Sequence, residues 1–193
     1  MIQLVTVTGP SCAGKTTLTR RLLDTGIFCE VISFTTRPSR MGEVHGKDYY
    51  FIGSEDANDL IDSGKAAEHT TFKDYVYGIE KAEIDSKIES GLIPISIVEP
   101  NGLRQLRGSY PEQTFSIYVD NPLPVLFERF LGRLVKGVLT GKSVDVKYQT
   151  SRLIGMVDEQ KNWNDYSYDF YISQFDSTNE KSVVDSLVKI FKK

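Results

Sequence analysis

The sequence predicts an α/β fold with a central parallel sheet covered by helices, and three observations carry that prediction. Strand-like runs at Gln3 to Thr8, Cys29 to Phe34, Ile93 to Val98, Thr114 to Val119 and Phe170 to Ser173 alternate with helix-like segments, the βαβ rhythm of a parallel sheet. The first run leads into Gly9-Pro-Ser-Cys-Ala-Gly-Lys-Thr-Thr17 and then Leu18-Thr-Arg-Arg-Leu-Leu23. A strand, a glycine-rich loop and an amphipathic helix thus follow one another in the order of a phosphate loop. With 193 residues, 40% of them hydrophobic and 25% charged, the chain can bury a core as one globular unit.

In chain order, the helix candidates are Lys15 to Asp24, Ile79 to Glu89, Pro122 to Arg133, Asp145 to Asn162 and Asn179 to Phe191. Gly91 supplies a stop after the second, and Asn121-Pro122 a start for the third. Between Phe34 and Tyr77 the rhythm gives way to turns, aromatics and short β-like pieces (Tyr49-Tyr-Phe-Ile52, His69-Thr-Thr-Phe72, Tyr75-Val-Tyr77). This predicts a subdomain inserted into the core. A second excursion, about Leu131 to Ser151, carries Gly132, Gly137, Gly141 and several basic residues. It reads either as a mobile flap near phosphates or as a solvated loop whose Lys136 and Lys142 are ordinary surface charges.

The loop at 9 to 17 has a specific chemistry. Glycines at 9 and 14 permit positive φ and close backbone approach, so that N–H groups and a helix N-terminus converge on anionic oxygen. Ser11, Cys12, Ala13 and Thr17 fill the cradle with Pro10. Lys15 would add a compact positive charge at the β and γ phosphates of a bound nucleotide, and the Thr16 hydroxyl can reach a phosphate-bridging Mg²⁺. A chance glycine-rich turn is the alternative, and the flanking strand and helix weigh against it.

Composition excludes other classes. Apolar stretches such as Gly91 to Val98 fall far short of the ~20 residues that span a bilayer. The N-terminus enters a strand rather than a signal peptide, so a cytoplasmic protein is expected. Cys12 and Cys29 are too few for a disulfide framework or zinc site and read as reduced thiols. A net charge of −3 gives no global attraction to nucleic acid or anionic membrane, so clustered arginines imply a small anionic ligand. His45 and His69 read as polar surface residues, and Trp163 with Tyr166, Tyr168 and Phe170 as a helix-packing group.

A second motif, Ser33-Phe-Thr-Thr-Arg37-Pro-Ser-Arg40-Met-Gly42-Glu43-Val-His-Gly46-Lys-Asp48-Tyr49-Tyr-Phe51, gathers two arginines, an acid and a tyrosine in one turn-rich segment. Arginine forks bind phosphate bidentately, and Pro38 with Gly42 would fix the loop that aims them. An exposed charged loop that binds nothing is the plain alternative.

Together the two motifs resemble the guanylate kinase family, P-loop enzymes that move a phosphoryl group from ATP to GMP or dGMP. That family's Ser-x-Thr-Thr-Arg-Pro-x-Arg-x-Gly-Glu-x-x-Gly-x-Asp-Tyr-x-Phe pattern is filled at every defining position here. The resemblance implies a three-layer P-loop fold with a core (1–33, 81–130 and 153–193), an inserted α+β nucleoside-monophosphate subdomain (34–80) and a lid (131–152). It implies that Arg37, Arg40 and Tyr49 bind the GMP phosphate, that Glu43 buttresses the arginines and that Ser33 helps to read guanine. Ala66-Ala-Glu68 resembles the segment whose glutamate accepts from guanine N1–H and the exocyclic amine; adenine would lose both bonds, so discrimination of order 10⁴ is expected. A solvated strand-end acid is the other reading of Glu68.

Three departures qualify the likeness. Tyr77-Gly78 matches, but Ile79 stands where a Ser or Thr hydroxyl contacts the base. The strand ending Ile95-Ser-Ile-Val-Glu99-Pro-Asn-Gly102 replaces an Asp-x-Asp-x-x-Gly pattern and keeps only Glu99 as an acid for Mg²⁺ or ribose. Arg129, Arg133 and Arg152 resemble lid arginines that close over the transferring phosphoryl, across a longer Arg133 to Arg152 interval. Lys15, Arg37, Arg133 and Arg152 are the expected catalytic residues. The partners implied are small nucleotides, with no nucleic acid or membrane, in a monomer or homodimer. Two other functions stand beside this one: a nucleoside monophosphate kinase of altered acceptor choice, and a non-catalytic guanylate kinase-like module that binds protein partners.

Overall fold

A computed structural model describes residues 2–141, 143–163 and 166–192; Lys142, expected as a surface charge, lies outside them. In chain order the elements are β1 (Leu4–Thr8), α1 (Lys15–Leu23), β2 (Phe28–Glu30), β3 (Phe34–Thr35), β4 (Tyr50–Phe51), α2 (Ser54–Asp62), β5 (Ala66–Phe72), β6 (Tyr75–Glu80), α3 (Lys81–Glu89), β7 (Ile93–Ile97), α4 (Pro100–Ser109), β8 (Thr114–Asp120), α5 (Leu123–Leu139), α6 (Val146–Trp163), β9 (Phe170–Ser173) and α7 (Glu180–Phe191). The α/β fold with its central parallel sheet is present.

The chain divides into two compact units, residues 1–6 with 22–115, and residues 7–21 with 116–193. β1 is shared: its five residues, Leu-Val-Thr-Val-Thr, are all buried, as a strand covered on both faces requires. In the first unit β7 lies between β2 and β1, with Phe28 opposite Ile93 and Glu30 opposite Ile95 in parallel register. The same unit holds a four-stranded sheet ordered β4-β3-β6-β5. Its β5–β6 hairpin turns at Lys73 and Asp74, whose φ values of +50° and +66° match the twist of a two-residue connection. Ile79, Ile84, Ile95, Leu103 and Leu106 form its core, each at most 1% exposed. In the second unit β8 lies between β1 and β9, pairing with β9 in parallel from Ile117–Phe170 to Asp120–Ser173. Leu18, Ile117, Val119, Leu126, Met156 and Leu187 are fully buried there.

Several boundaries differ from the sequence reading for local reasons. The strand expected over Cys29 to Phe34 is two strands in two sheets. After Val31 donates to Ile95 O, the Ile32 N–H turns to the Glu83 carboxylate and the ladder stops. Ile79 and Glu80 stay in β6, where Ile79 pairs with Glu68, so the helix begins at Lys81. Two short helices escaped the pattern: α2, entered through a Gly53 N–H bonded to the Asp56 carboxylate, and α4, whose Pro, Asn and two Gly residues mask the buried pair Leu103 and Leu106. The excursion at 131 to 151, read as a flap or loop, is mostly helical. α5 continues through Gly132 and Gly137 to Leu139, and Gly141, at φ +76°, turns the chain before α6.

Candidate nucleotide sites

The phosphate loop is shaped by residues that only its backbone permits. Gly9 has φ +151° and Gly14 φ +107°; a Cβ at Gly9 would sit 2.2 Å from Val119 O, and one at Gly14 2.9 Å from the Phe175 ring. Both positions therefore demand glycine. Cys12 is buried and left-handed, at φ +69°. The Lys15 ammonium donates to Gly9 O at 2.6 Å and Pro10 O at 2.9 Å, so it lies over the loop rather than out in solvent. Thr16 and Thr17 are exposed on the first turn of α1.

Side chains from the residue after β8, from α5 and from α6 fasten this loop. The buried Asn121 amide donates to Ala13 O at 2.8 Å. Arg129 donates to Cys12 O, Ala13 O and Phe175 O. Its guanidinium is thereby engaged with the loop backbone, a role the sequence did not reveal because carbonyl partners leave no motif. Arg152 donates to the Ser11 hydroxyl at 2.9 Å, and the Ser11 N–H donates to Glu159 at 2.8 Å. Arg133 is exposed and borders a cavity of about 190 Å³ with Gly14, Thr17 and Phe175.

The arginine-rich segment is equally organised. Arg37, 8% exposed, makes a two-pronged pair with Glu43 at 3.0 and 2.9 Å and a third bond to Pro38 O. Glu43 also accepts from the Arg40 N–H at 2.7 Å. The hydrogen bonds from Arg37 hold the Glu43 carboxyl below its ordinary range, and Glu43 in turn raises the Arg37 pKa. Tyr49 and Phe51 rings flank the guanidinium at 5.5 and 5.7 Å. The Arg40 side chain is exposed.

Beside this segment, in the same unit, a cavity of about 300 Å³ is lined by Ser33, Tyr49, Glu68, Tyr77, Glu99 and Asn101, among others. Glu68 is 8% exposed, and burial, with the Glu99 charge as second cause, raises its pKa from 4.5 to about 7. A Cβ at Gly102 would approach the Glu68 carboxylate to 3.2 Å, so glycine keeps room around that group. Gly78 has a like reason: its Cβ would lie 2.5 Å from the Phe34 ring and 2.6 Å from Glu68 O. Glu99 is exposed at the extended cap of α4.

Ile79 requires correction. It is fully buried, stands outside the cavity lining and offers a ligand no surface. The wall contains instead Thr70, Phe72, Tyr77, Ile97 and Asn101. Of these only Tyr77 carried a sequence signal, through its pairing with Gly78. Among the described residues no group of three or more His, Cys, Asp and Glu side chains could hold a metal, and no helix is long and apolar enough to cross a membrane.

Comparison with known proteins agrees with this geometry. The family model described as guanylate kinase matches residues 1–176. The guanylate kinase of Lactiplantibacillus plantarum is 32% identical over 167 residues, spanning 86% of this chain and 77% of that one. That of Clostridioides difficile is 31% identical over 181 residues, 93% and 84% of the two chains. That of Nostoc sp. is 37% identical over 134 residues, 68% of this chain and 65% of its own length. The crystal structure of guanylate kinase from Anaplasma phagocytophilum shares the fold, with a TM-score of 0.68 at 22% identity over 99% of this chain and 85% of that one. A phosphate loop fastened by arginine, a second arginine pair locked by glutamate and this run of matches have one source: the chain belongs to the guanylate kinase family, nucleoside monophosphate kinases whose reaction carries a phosphoryl group from ATP to GMP.

Proposed function

We propose that this chain transfers the γ-phosphoryl group of ATP to GMP or dGMP, with ATP on the loop Gly9 to Thr17 and the acceptor in the cavity walled by Ser33, Tyr49, Glu68 and Glu99. The observation that carries the acceptor assignment is Glu68, a carboxylate buried at 8% exposure in a cavity wall. A desolvated carboxylate there accepts from both donors of guanine, N1–H and the exocyclic amine, and adenine offers it no such pair.

Arg37 and Arg40, aligned by Glu43, hold the acceptor phosphate with Tyr49. That phosphate is already anionic at neutral pH, so no general base is needed. Lys15, Arg133 and Arg152 supply positive charge, which offsets repulsion between the two phosphates and stabilises the spread charge of the in-line transition state. Excluding water during transfer prevents hydrolysis of ATP instead.

Mg²⁺ fits the donor set: Thr16 presents an exposed hydroxyl at the start of α1, and Mg²⁺ takes few protein ligands beside phosphate oxygens and water. Bound there, it would neutralise charge between the β and γ phosphates. Glu99 is assigned to the acceptor's ribose side. We place the enzyme in the cytoplasm, with its nucleotides.

A second reading, an altered acceptor choice, finds no support in Ile79, which is buried. It draws on Phe72 and Ile97, 54% and 39% exposed, which give the cavity an apolar flank. One experiment tests both: ADP release in the presence of ATP and Mg²⁺ with GMP, dGMP, AMP, dTMP and modified purine nucleotides as acceptors. Selective turnover of GMP and dGMP is expected. Preference for another acceptor would retain the donor site and overturn the guanine assignment of Glu68.

A further inference from the structure

Ser11 is held from two directions by one helix. Arg152 and Glu159 stand seven residues apart on α6, two turns along, which brings them to one face. Arg152 donates to the Ser11 hydroxyl at 2.9 Å, and the Ser11 N–H donates to the Glu159 carboxylate at 2.8 Å. The next residue, Gln160, donates to Asn121 O at 2.7 Å, and the Asn121 amide in turn donates to Ala13 O. Two direct links and one relayed through Asn121 thus run from α6 to the phosphate loop, and Glu159 supplies the acid among them.

This contact sits at a sensitive point. The residue after Ser11 is Cys12, held at φ +69°, a left-handed conformation that is strained for a non-glycine residue. A loop that keeps such a residue needs its neighbours fixed. A charge-assisted bond on the preceding N–H does that, and it holds in place the backbone of the residue whose hydroxyl Arg152 uses as an acceptor.

We propose that Glu159 is a positioning residue of the donor site: it fixes Ser11 and, through the Ser11 hydroxyl, the guanidinium of Arg152. This rests on the assignment of ATP to the phosphate loop. Glu159 does not touch substrate; it acts by pre-forming the loop and presenting the arginine.

The test compares Glu159→Ala with Glu159→Gln in the full chain, by turnover with ATP and GMP and by titrating ATP alone against the fluorescence of Trp163, the single tryptophan, four residues further along α6. Glu159→Ala should raise KM and Kd for ATP about tenfold and lower kcat, as loss of a charged hydrogen bond implies. KM for GMP should stay within about twofold, since the acceptor residues keep their own bonds. Glu159→Gln retains an acceptor oxygen for the Ser11 N–H and should recover most of the loss. In an Arg152→Ala background, Glu159→Ala should no longer lower kcat.

ATP affinity equal to the parent's in Glu159→Ala, tighter binding in either variant, or a full kcat loss added to that of Arg152→Ala would overturn the proposal. A KM for GMP raised as much as that for ATP would do the same, as a sign of damage beyond the donor loop. If the parent itself fails to phosphorylate GMP, the acceptor reading fails instead, and the ATP titration still decides the role of Glu159.

Discussion

Glu68 joins two demands that pull against each other. To read guanine as proposed, it must be ionised, whereas burial and the nearby Glu99 raise its pKa from 4.5 to about 7. An acid whose folded pKa exceeds its unfolded one favours the protonated folded state, so its unfavourable contribution is absent below pH 4.5, grows as pH rises and is complete above about 7. The shift corresponds to about 3 kcal/mol of destabilisation at pH 8. Glu68→Gln is therefore expected to raise Tm at pH 8 but not at pH 4.5, while kcat/KM for GMP collapses; a Tm unchanged at pH 8 would contradict the burial argument. In the parent, kcat/KM for GMP should fall as pH drops through about 7. Glu99→Gln, which removes the second cause, should move that fall to lower pH.

At the scale of elements, legibility followed the kind of force that builds each one. The phosphate loop was readable because Gly9 and Gly14 are dictated by backbone geometry and by close neighbours at Val119 and Phe175, constraints that leave fixed letters. The strands ending at Thr8 and Ser173 were readable from apolar runs alone. α2 and α4 were not: α2 buries only Ala57 and so shows no apolar stripe, and the Pro, Asn and two Gly residues of α4 obscure Leu103 and Leu106. Ile79 misled because a family pattern assigns a position, whereas packing decides exposure: opposite Glu68 and on the face of Tyr77, it is nonetheless fully buried and outside the cavity lining. The bonds of Arg129 and Glu159 to loop backbone were invisible, since any residue type presents a carbonyl or an N–H. Gly78 shows how far packing reaches into the site. Gly78→Ala would place a Cβ 2.6 Å from Glu68 O, and overpacking of this kind costs typically 1–3 kcal/mol. We expect a lowered Tm, and a GMP kcat/KM reduced beyond the effect on ATP binding; equal loss for both nucleotides would place the damage outside the acceptor cavity.

At the scale of the whole molecule, the residues proposed for donor and acceptor are drawn from separate stretches of chain. Gly9 to Thr17, Arg129, Arg133, Arg152 and Glu159 belong to the unit formed by 7–21 and 116–193, whereas Ser33 to Glu99 belong to the unit formed by 1–6 and 22–115. Each set is internally fastened, one by arginine bonds to the loop backbone and the other by the Arg37–Glu43 pair. Transfer asks for more, because the acceptor oxygen must meet the γ-phosphorus in line. A single molecule carrying adenosine and guanosine joined through five phosphates should therefore engage both sets at once. Linked occupancy of this kind gains typically 10²–10⁴ in affinity over one site. Isothermal titration should give it a Kd at least about a hundredfold below that of ATP, and Lys15→Met and Glu68→Gln should each weaken it. An affinity no better than ATP's would mean that the two sets are never occupied together in the geometry transfer needs, and in-line transfer between them would have to be abandoned.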